Sequence, residues 1–237
     1  MKLTFERCDM ADKENDNNFK QVYLSDDKNI VVLSFKNYRT IKFKYLNDDL
    51  INIIKNELSF FLDKIKKKRS ALIVGLGNDN LTADSIGPKV LKGIKVNAHL
   101  IKMGLITNEI KVSSLEPGVL GETGIDTTKI IKSVTKEIKP DFLIIIDSFI
   151  TDDINSLEKI IQINNKGITP GSGIYGVNSK INQKNIGVPI IVIGVPTALE
   201  ATIKNNKYIL STNNIDKYVI KISKIISKAI NNTLHLS

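Results

Sequence analysis

Ala71-Leu-Ile-Val-Gly-Leu-Gly-Asn-Asp-Asn-Leu-Thr-Ala-Asp-Ser-Ile-Gly-Pro88 starts as an apolar run, breaks at a Gly-Leu-Gly-Asn turn and delivers Asp84 just before a helical pattern. Apolar residues without alternation predict a strand buried on both faces, as in a parallel sheet. A second such run, residues 142–146, ends directly in Asp147. Open parallel sheets gather ligands and chemistry at the carboxyl ends of their strands. Both acids are therefore expected on that edge, where paired carboxylates suit acid/base or metal chemistry.

Outward from this stretch the pattern alternates. Strands are expected at residues 72–74, 110–114, 142–146 and 189–193, and helices at 85–96 and 123–138. Before it, residues 29–35 and 40–45 flank Lys36-Asn-Tyr-Arg39 and read as a β-hairpin, followed by an amphipathic helix over 48–67 capped by Asn47 or Asp48. Residues 160–163, 167–176 and 178–187 read as an irregular insert, and 215–234 as a closing amphipathic helix. The fold class is α/β, a mostly parallel sheet flanked by helices with an N-terminal β-hairpin and a C-terminal helix. Residues 1–18 read as a polar N-terminal segment, and 19–237 as a single α/β domain.

Composition narrows the function classes. The 237 residues are 42% apolar and 25% charged, as expected of a globular domain. Cys8 is the only cysteine, so no intramolecular disulfide and no cysteine metal cluster are expected. No run reaches the ~18 apolar residues of a membrane span, and the N-terminus is too charged for a signal peptide, so a cytoplasmic location is expected. The net charge of +9 comes almost wholly from lysine, the arginines being Arg7, Arg39 and Arg69. No basic stretch carries interleaved aromatics for base stacking, so no direct nucleic-acid partner and no membrane partner are expected. The densest cluster, Lys64-Ile-Lys-Lys-Lys-Arg69, falls at a predicted helix C-terminus, where cations are favoured.

Each candidate residue has a plainer alternative. Gly75-Leu-Gly-Asn78 lacks the third glycine of a dinucleotide fingerprint, since Asn80 stands in that place. Val-Gly-Leu-Gly-Asn also opens peptidyl-tRNA hydrolases, but the histidine those enzymes need soon afterwards is missing; only His99 and His235 occur. Asn78 suits a turn that bonds local backbone. Asp84 is either a helix N-cap or a functional acid, whereas Asp147 beside an isoleucine run is costly without a purpose. Asp141, Asp152 and Asp153 read as solvated loop acids. The loop with Glu116 and Gly118, the Thr169-Pro-Gly-Ser-Gly173 loop with Gly171 and Ser172, and Gly194-Val-Pro-Thr197 all read as loops on the carboxyl edge. Asn78, Glu116, Gly118, Gly171, Ser172 and Thr197 are thus the candidate substrate-binding residues. With no histidine beside Ser172, a serine triad is not supported.

In order along the chain, these segments resemble the germination proteases, or spore proteases, of endospore-forming bacteria. The matching blocks are Ile73-Val-Gly-Leu-Gly-Asn78 with Asp84-Ser-Ile-Gly-Pro88, Glu116-Pro-Gly-Val-Leu-Gly-Glu-Thr-Gly-Ile125, Lys139-Pro-Asp-Phe-Leu-Ile-Ile-Ile-Asp147, Gly167-Ile-Thr-Pro-Gly-Ser-Gly173 and Ile186-Gly-Val-Pro-Ile-Ile-Val-Ile-Gly-Val-Pro-Thr197. The resemblance implies an endopeptidase that degrades small acid-soluble spore proteins in the spore core, made as a zymogen and assembled as a homo-oligomer, a tetramer in the family. It places the catalytic pair on Asp84 and Asp147, implies no cofactor, and makes residues 1–18 a propeptide remnant. Two carboxylates sharing a proton would let one act as base on a water while the other polarises the scissile carbonyl. The fold is shared with hydrogenase-maturation endopeptidases, so a maturation peptidase recognising a substrate-bound metal is the alternative, and a non-catalytic relic of the fold is another. No metal ligand is assigned. The chain departs from the family at Thr169, where a histidine is usual, at Glu116, where a small residue is usual, and at Ser148-Phe-Ile, where Ala-Leu-Ala is usual. Its segment after Thr197 is also shorter.

Overall fold

The computed structural model describes residues 20–23, 29–170 and 180–235. Strands β1 (Lys20–Tyr23), β2 (Ile30–Phe35) and β3 (Tyr38–Phe43) lead into helix α1 (Asp49–Leu62). Next come β4 (Ser70–Gly75), α2 (Ile86–Leu91), α3 (Ala98–Lys102), β5 (Lys111–Leu115), α4 (Leu120–Thr123), α5 (Thr127–Ile138) and β6 (Phe142–Thr151). The rest is β7 (Ile160–Asn164), α6 (Gln183–Ile186), β8 (Ile190–Ile203), β9 (Asn206–Leu210) and α7 (Ile215–Thr233).

Among the described residues nine strands form one sheet, ordered β1-β2-β3-β7-β8-β6-β4-β5, with β9 added to β8. Pairing is parallel across β8-β6-β4-β5 and antiparallel everywhere else. The α/β class, the flanking helices, the N-terminal hairpin and the C-terminal helix are as expected. The expected parallel pairing holds in the half that carries the Gly-Leu-Gly-Asn turn, and the sheet as a whole is mixed.

The parallel strands alternate their side chains between two cores, which is why they are apolar throughout. Ala71 and Ile73 of β4 and Ile144 and Ile146 of β6 face α1, α2 and α7. Leu72, Val74, Leu143 and Ile145 face the opposite side, where Ile131 of α5 and Ile186 of α6 cover them. Each buried Val, Leu or Ile among them is worth about 1.5–3 kcal/mol of transfer free energy. Arg39 fastens the hairpin to α1: its Nε lies 3.0 Å from Glu57, and its guanidinium stacks 4.0 Å above the Phe60 ring.

Several local expectations change. The hairpin turn is only Lys36-Asn37, because Tyr38 and Arg39 already pair with Phe35 and Ser34. Helix α1 stops at Leu62, so the lysine cluster lies past the helix end, and Asp48 makes no side-chain capping bond. Helix α2 is six residues long. Asp141 is no solvated loop acid: its carboxylate accepts the N–H groups of Arg69 and Ser70 at 2.9 and 3.1 Å, joining the amino ends of β4 and β6. Likewise Asp153 accepts from the Ser156 hydroxyl at 3.0 Å and shapes the turn after β6. Strand β7, placed within the irregular insert, instead carries the antiparallel half of the sheet onto β8.

The largest difference lies at β8. Gly194-Val-Pro-Thr197 is the interior of a strand, not a loop, because β6 and β8 run on together to Thr151 and Leu199. Pro196 has no N–H to give to a ladder, and the register slips between Phe149 and Ile150 directly opposite it. Burial continues through Ala198, so the end of the isoleucine run at Ile193 marks neither the end of the strand nor the end of its buried part.

Candidate active site

The turn after β4 aims one carboxylate. Leu76 continues the parallel ladder by donating its N–H to Ile146 O at 2.8 Å. The chain then reverses at Gly77, whose φ is +112°. A side chain there would be strained, and its Cβ would come within 1.9 Å of the Asp84 carbonyl oxygen. The Asn78 N–H closes the loop, lying 3.0 Å from both the Asp84 carbonyl and its Oδ2. Inside, Asn78 Oδ1 accepts the Asn80 N–H at 2.8 Å, an Asx turn that accounts for asparagine at this position. Packing of β4 against α2 is equally tight, since a Cβ on Gly75 would meet the Gly87 carbonyl at 2.5 Å.

Asp84 does not cap α2. It ends a 3-10 turn, Thr82–Asp84, and its carboxylate points back at the sheet. Oδ1 accepts the Ser148 hydroxyl at 2.9 Å while Oδ2 takes the Asn78 N–H. Burial raises the Asp84 pKa above the usual carboxylate range, the bonds from Ser148 and Asn78 oppose that shift, and nearby Glu122 adds to it.

Asp147 sits one residue past the apolar run of β6, buried at 8% exposure, and its Oδ1 accepts the Ser148 N–H at 2.9 Å. Successive strand residues leave a sheet on opposite faces, so Ser148 turns toward Asp84 while Asp147 leaves on the other side. One residue thus joins the two acids, through its amide to Asp147 and its hydroxyl to Asp84. This arrangement is a bridge and not a single carboxyl–carboxyl hydrogen bond.

The other candidates divide. Thr197 is 1% exposed and donates its hydroxyl to Ala83 O at 2.5 Å, which ties β8 to the Asp84 loop. Glu116 lies exposed after β5 and adds to the effect of Asp79 in raising the Lys92 pKa. Gly118, at φ +71°, accepts the Thr127 hydroxyl at 3.3 Å and so ties the loop to the start of α5. Gly171 and Ser172 lie outside the described residues. His99 and His235 are exposed on α3 and after α7. Among the described residues, no three His, Cys, Asp or Glu side chains group to hold a metal.

Two contributors escaped the reading of the sequence. Ser148 was visible only as a departure from the Ala-Leu-Ala pattern. Glu122 of α4, whose Oε1 accepts from Asn80 Nδ2 at 3.2 Å, joins that helix to the Asp84 loop and has no local sequence signal.

A [NiFe] hydrogenase maturation protease HycI from Thermococcus kodakarensis superposes with a TM-score of 0.41 at 16% identity, over 72% of this chain and 99% of that one. In sequence the chain is 41% identical over 170 residues to a germination protease of Clostridium tetani, covering 70% of this chain and 50% of the relative. It is 42% identical over 154 residues to a germination protease of Bacillus cytotoxicus, covering 63% and 42%. The chain spans about half the length of the curated relatives it matches. A family model described as germination protease matches residues 31–211, a span that holds the Asp84 loop, Asp147 and Thr197, and on that match the chain belongs to the germination protease family.

Proposed function

We propose that the chain is an endopeptidase of the spore-germination type that hydrolyses peptide bonds with Asp84 and Asp147. The observation that carries this reading is the Ser148 bridge, which holds Asp84 Oδ1 and Asp147 Oδ1 each at 2.9 Å from one residue on the carboxyl edge. Asp84 takes a proton from water as the water oxygen bonds to the scissile carbonyl carbon. On a peptide laid across the carboxyl edge of β6, Asp147 in its protonated form polarises the carbonyl from the other side of Ser148, and the proton held on Asp84 passes to the leaving amine as the C–N bond breaks. Burial raises the Asp84 pKa above the usual carboxylate range, which makes its carboxylate the stronger proton acceptor once ionised, and Asp84 is assigned the role of base. Thr197 and Asn78 act by holding the Asp84 loop, Glu116 and Gly118 belong to a loop that meets the polypeptide, and Gly171 and Ser172 are proposed as further contacts to it.

The substrates proposed are small acid-soluble spore proteins, the class implied by the family resemblance, and the working form is a homo-oligomer in the spore core. Incubating the purified protein with these substrates, with and without a chelator, and reading the fragments by mass spectrometry tests the proposal. Cleavage that survives chelation and disappears in folded Asp84→Asn and Asp147→Asn variants is the expected result. Full cleavage by both variants would overturn it, and cleavage abolished by the chelator would favour metal-dependent chemistry.

A further inference from the structure

A groove of about 650 Å³ opens between the end of β3, the β6–β7 connection and the start of α7. Phe43, Leu157 and Tyr218 give it an apolar floor, and each is largely buried. Its rim is cationic: Lys44 follows β3, Lys159 precedes β7, and Lys217 and Lys221 stand one helical turn apart on α7. All four are exposed, and among the described residues none pairs with a carboxylate. Glu158, the one acid in the lining, is engaged by the Thr212 hydroxyl at 2.5 Å. The Tyr218 hydroxyl is buried without a hydrogen-bond partner. Burial, with Glu158 nearby, pushes its pKa well up, so it stays a neutral donor.

The groove lies on the same edge of the sheet as the two acids. The Glu158 N–H donates to Pro196 O at 3.0 Å, and the next residue of β8, Thr197, holds Ala83 beside Asp84. Asp147 stands level with Gly194 of β8 and Gln162 of β7. Two strand spacings across and three residues along to Lys159 are each about 10 Å, roughly 14 Å in all, which a few residues of extended peptide would span.

We propose that this groove is a substrate exosite that holds an acidic segment of polypeptide carrying an apolar side chain, a few residues away from the bond that is cut. The proposal rests on the endopeptidase reading. Lysine tips offer point charges to carboxylates, and the floor takes one apolar side chain. A nucleic-acid strand would instead need stacking aromatics in series and is better served by arginine forks.

The test uses the full chain with Asp84→Asn and a short fluorescein-labelled peptide of alternating Glu and Leu, read by fluorescence anisotropy. Controls are the same peptide with Gln for Glu and a single-stranded oligonucleotide of equal charge. The Glu peptide is expected to bind, to weaken as salt rises, and to lose about tenfold or more in affinity in the Lys217→Glu/Lys221→Glu variant. The same pair of changes in the otherwise native chain should raise KM with kcat unchanged. Lys44→Glu/Lys159→Glu provides a second variant if circular dichroism shows the first to be misfolded. Absent binding, equal affinity for the Glu and Gln peptides, or affinity indifferent to charge reversal would overturn the proposal. So would lysine-dependent capture of the oligonucleotide in preference to the peptide. Lysine-dependent peptide binding by a chain that cleaves nothing would leave the exosite standing while the peptidase reading failed.

Discussion

Asp84 is an acid kept where ionisation is costly, since burial outweighs the two donors that favour its charge. A carboxyl whose pKa is raised on folding contributes stability that is complete below its unfolded value and is lost as pH climbs through the folded one. Ionised Asp84 therefore costs stability at neutral pH. Asparagine can keep both neighbours, its oxygen accepting from Asn78 and its amide donating to the Ser148 hydroxyl. Asp84→Asn should accordingly raise Tm at neutral pH and change it little in strong acid; thermal unfolding across pH would contradict this if the variant proved less stable at neutrality. Ser148 works in the opposite sense to burial. Ser148→Ala removes a bond that lowers the Asp84 pKa, so the acid limb of the pH–rate profile should move to higher pH. A carbon-13 titration of Asp84 reads the same shift without relying on turnover, and an unmoved titration would deny Ser148 its role.

At the scale of elements, Gly77 decides where the Asp84 loop lies. Alanine there combines a left-handed φ with a Cβ at 1.9 Å from the Asp84 carbonyl. A cost of about 2–4 kcal/mol is expected in denaturant melts, together with loss of cleavage; a variant as stable and active as the parent would show the turn to be dispensable. The turn and the strand ahead of it were legible because both use local signals, a buried apolar run and glycine at a reversal. The ends of β6 and β8 were not legible. Beyond Asp147 and Gly194 the strands are held by pairing to each other, which leaves no periodic trace in Ser148-Phe-Ile or Val195-Pro-Thr. The same limit hid β1, β9 and the cross-loop bond from Asn80 to Glu122, all of which depend on partners distant in sequence or on polar strands.

For the whole molecule, the sheet runs unbroken from the antiparallel hairpin through β7 and β8 into the parallel half. We propose that residues 19–237 fold as one unit, and a single cooperative transition with coincident near- and far-ultraviolet circular dichroism is expected. Two separated transitions would divide the hairpin from the parallel half. The chemistry is likewise expected to be a joint property of two strands bridged at one residue. Groups that act as a unit lose their effect together, so the second removal adds little. The decisive measurement is therefore the rate of spore-protein cleavage by the native chain, Asp84→Asn, Asp147→Asn and the double variant, each verified as folded. The account predicts that each single change lowers kcat by about a thousandfold or more and that the double variant is scarcely slower than either; near-native rates in a single variant, or losses that multiply in the double, would contradict it.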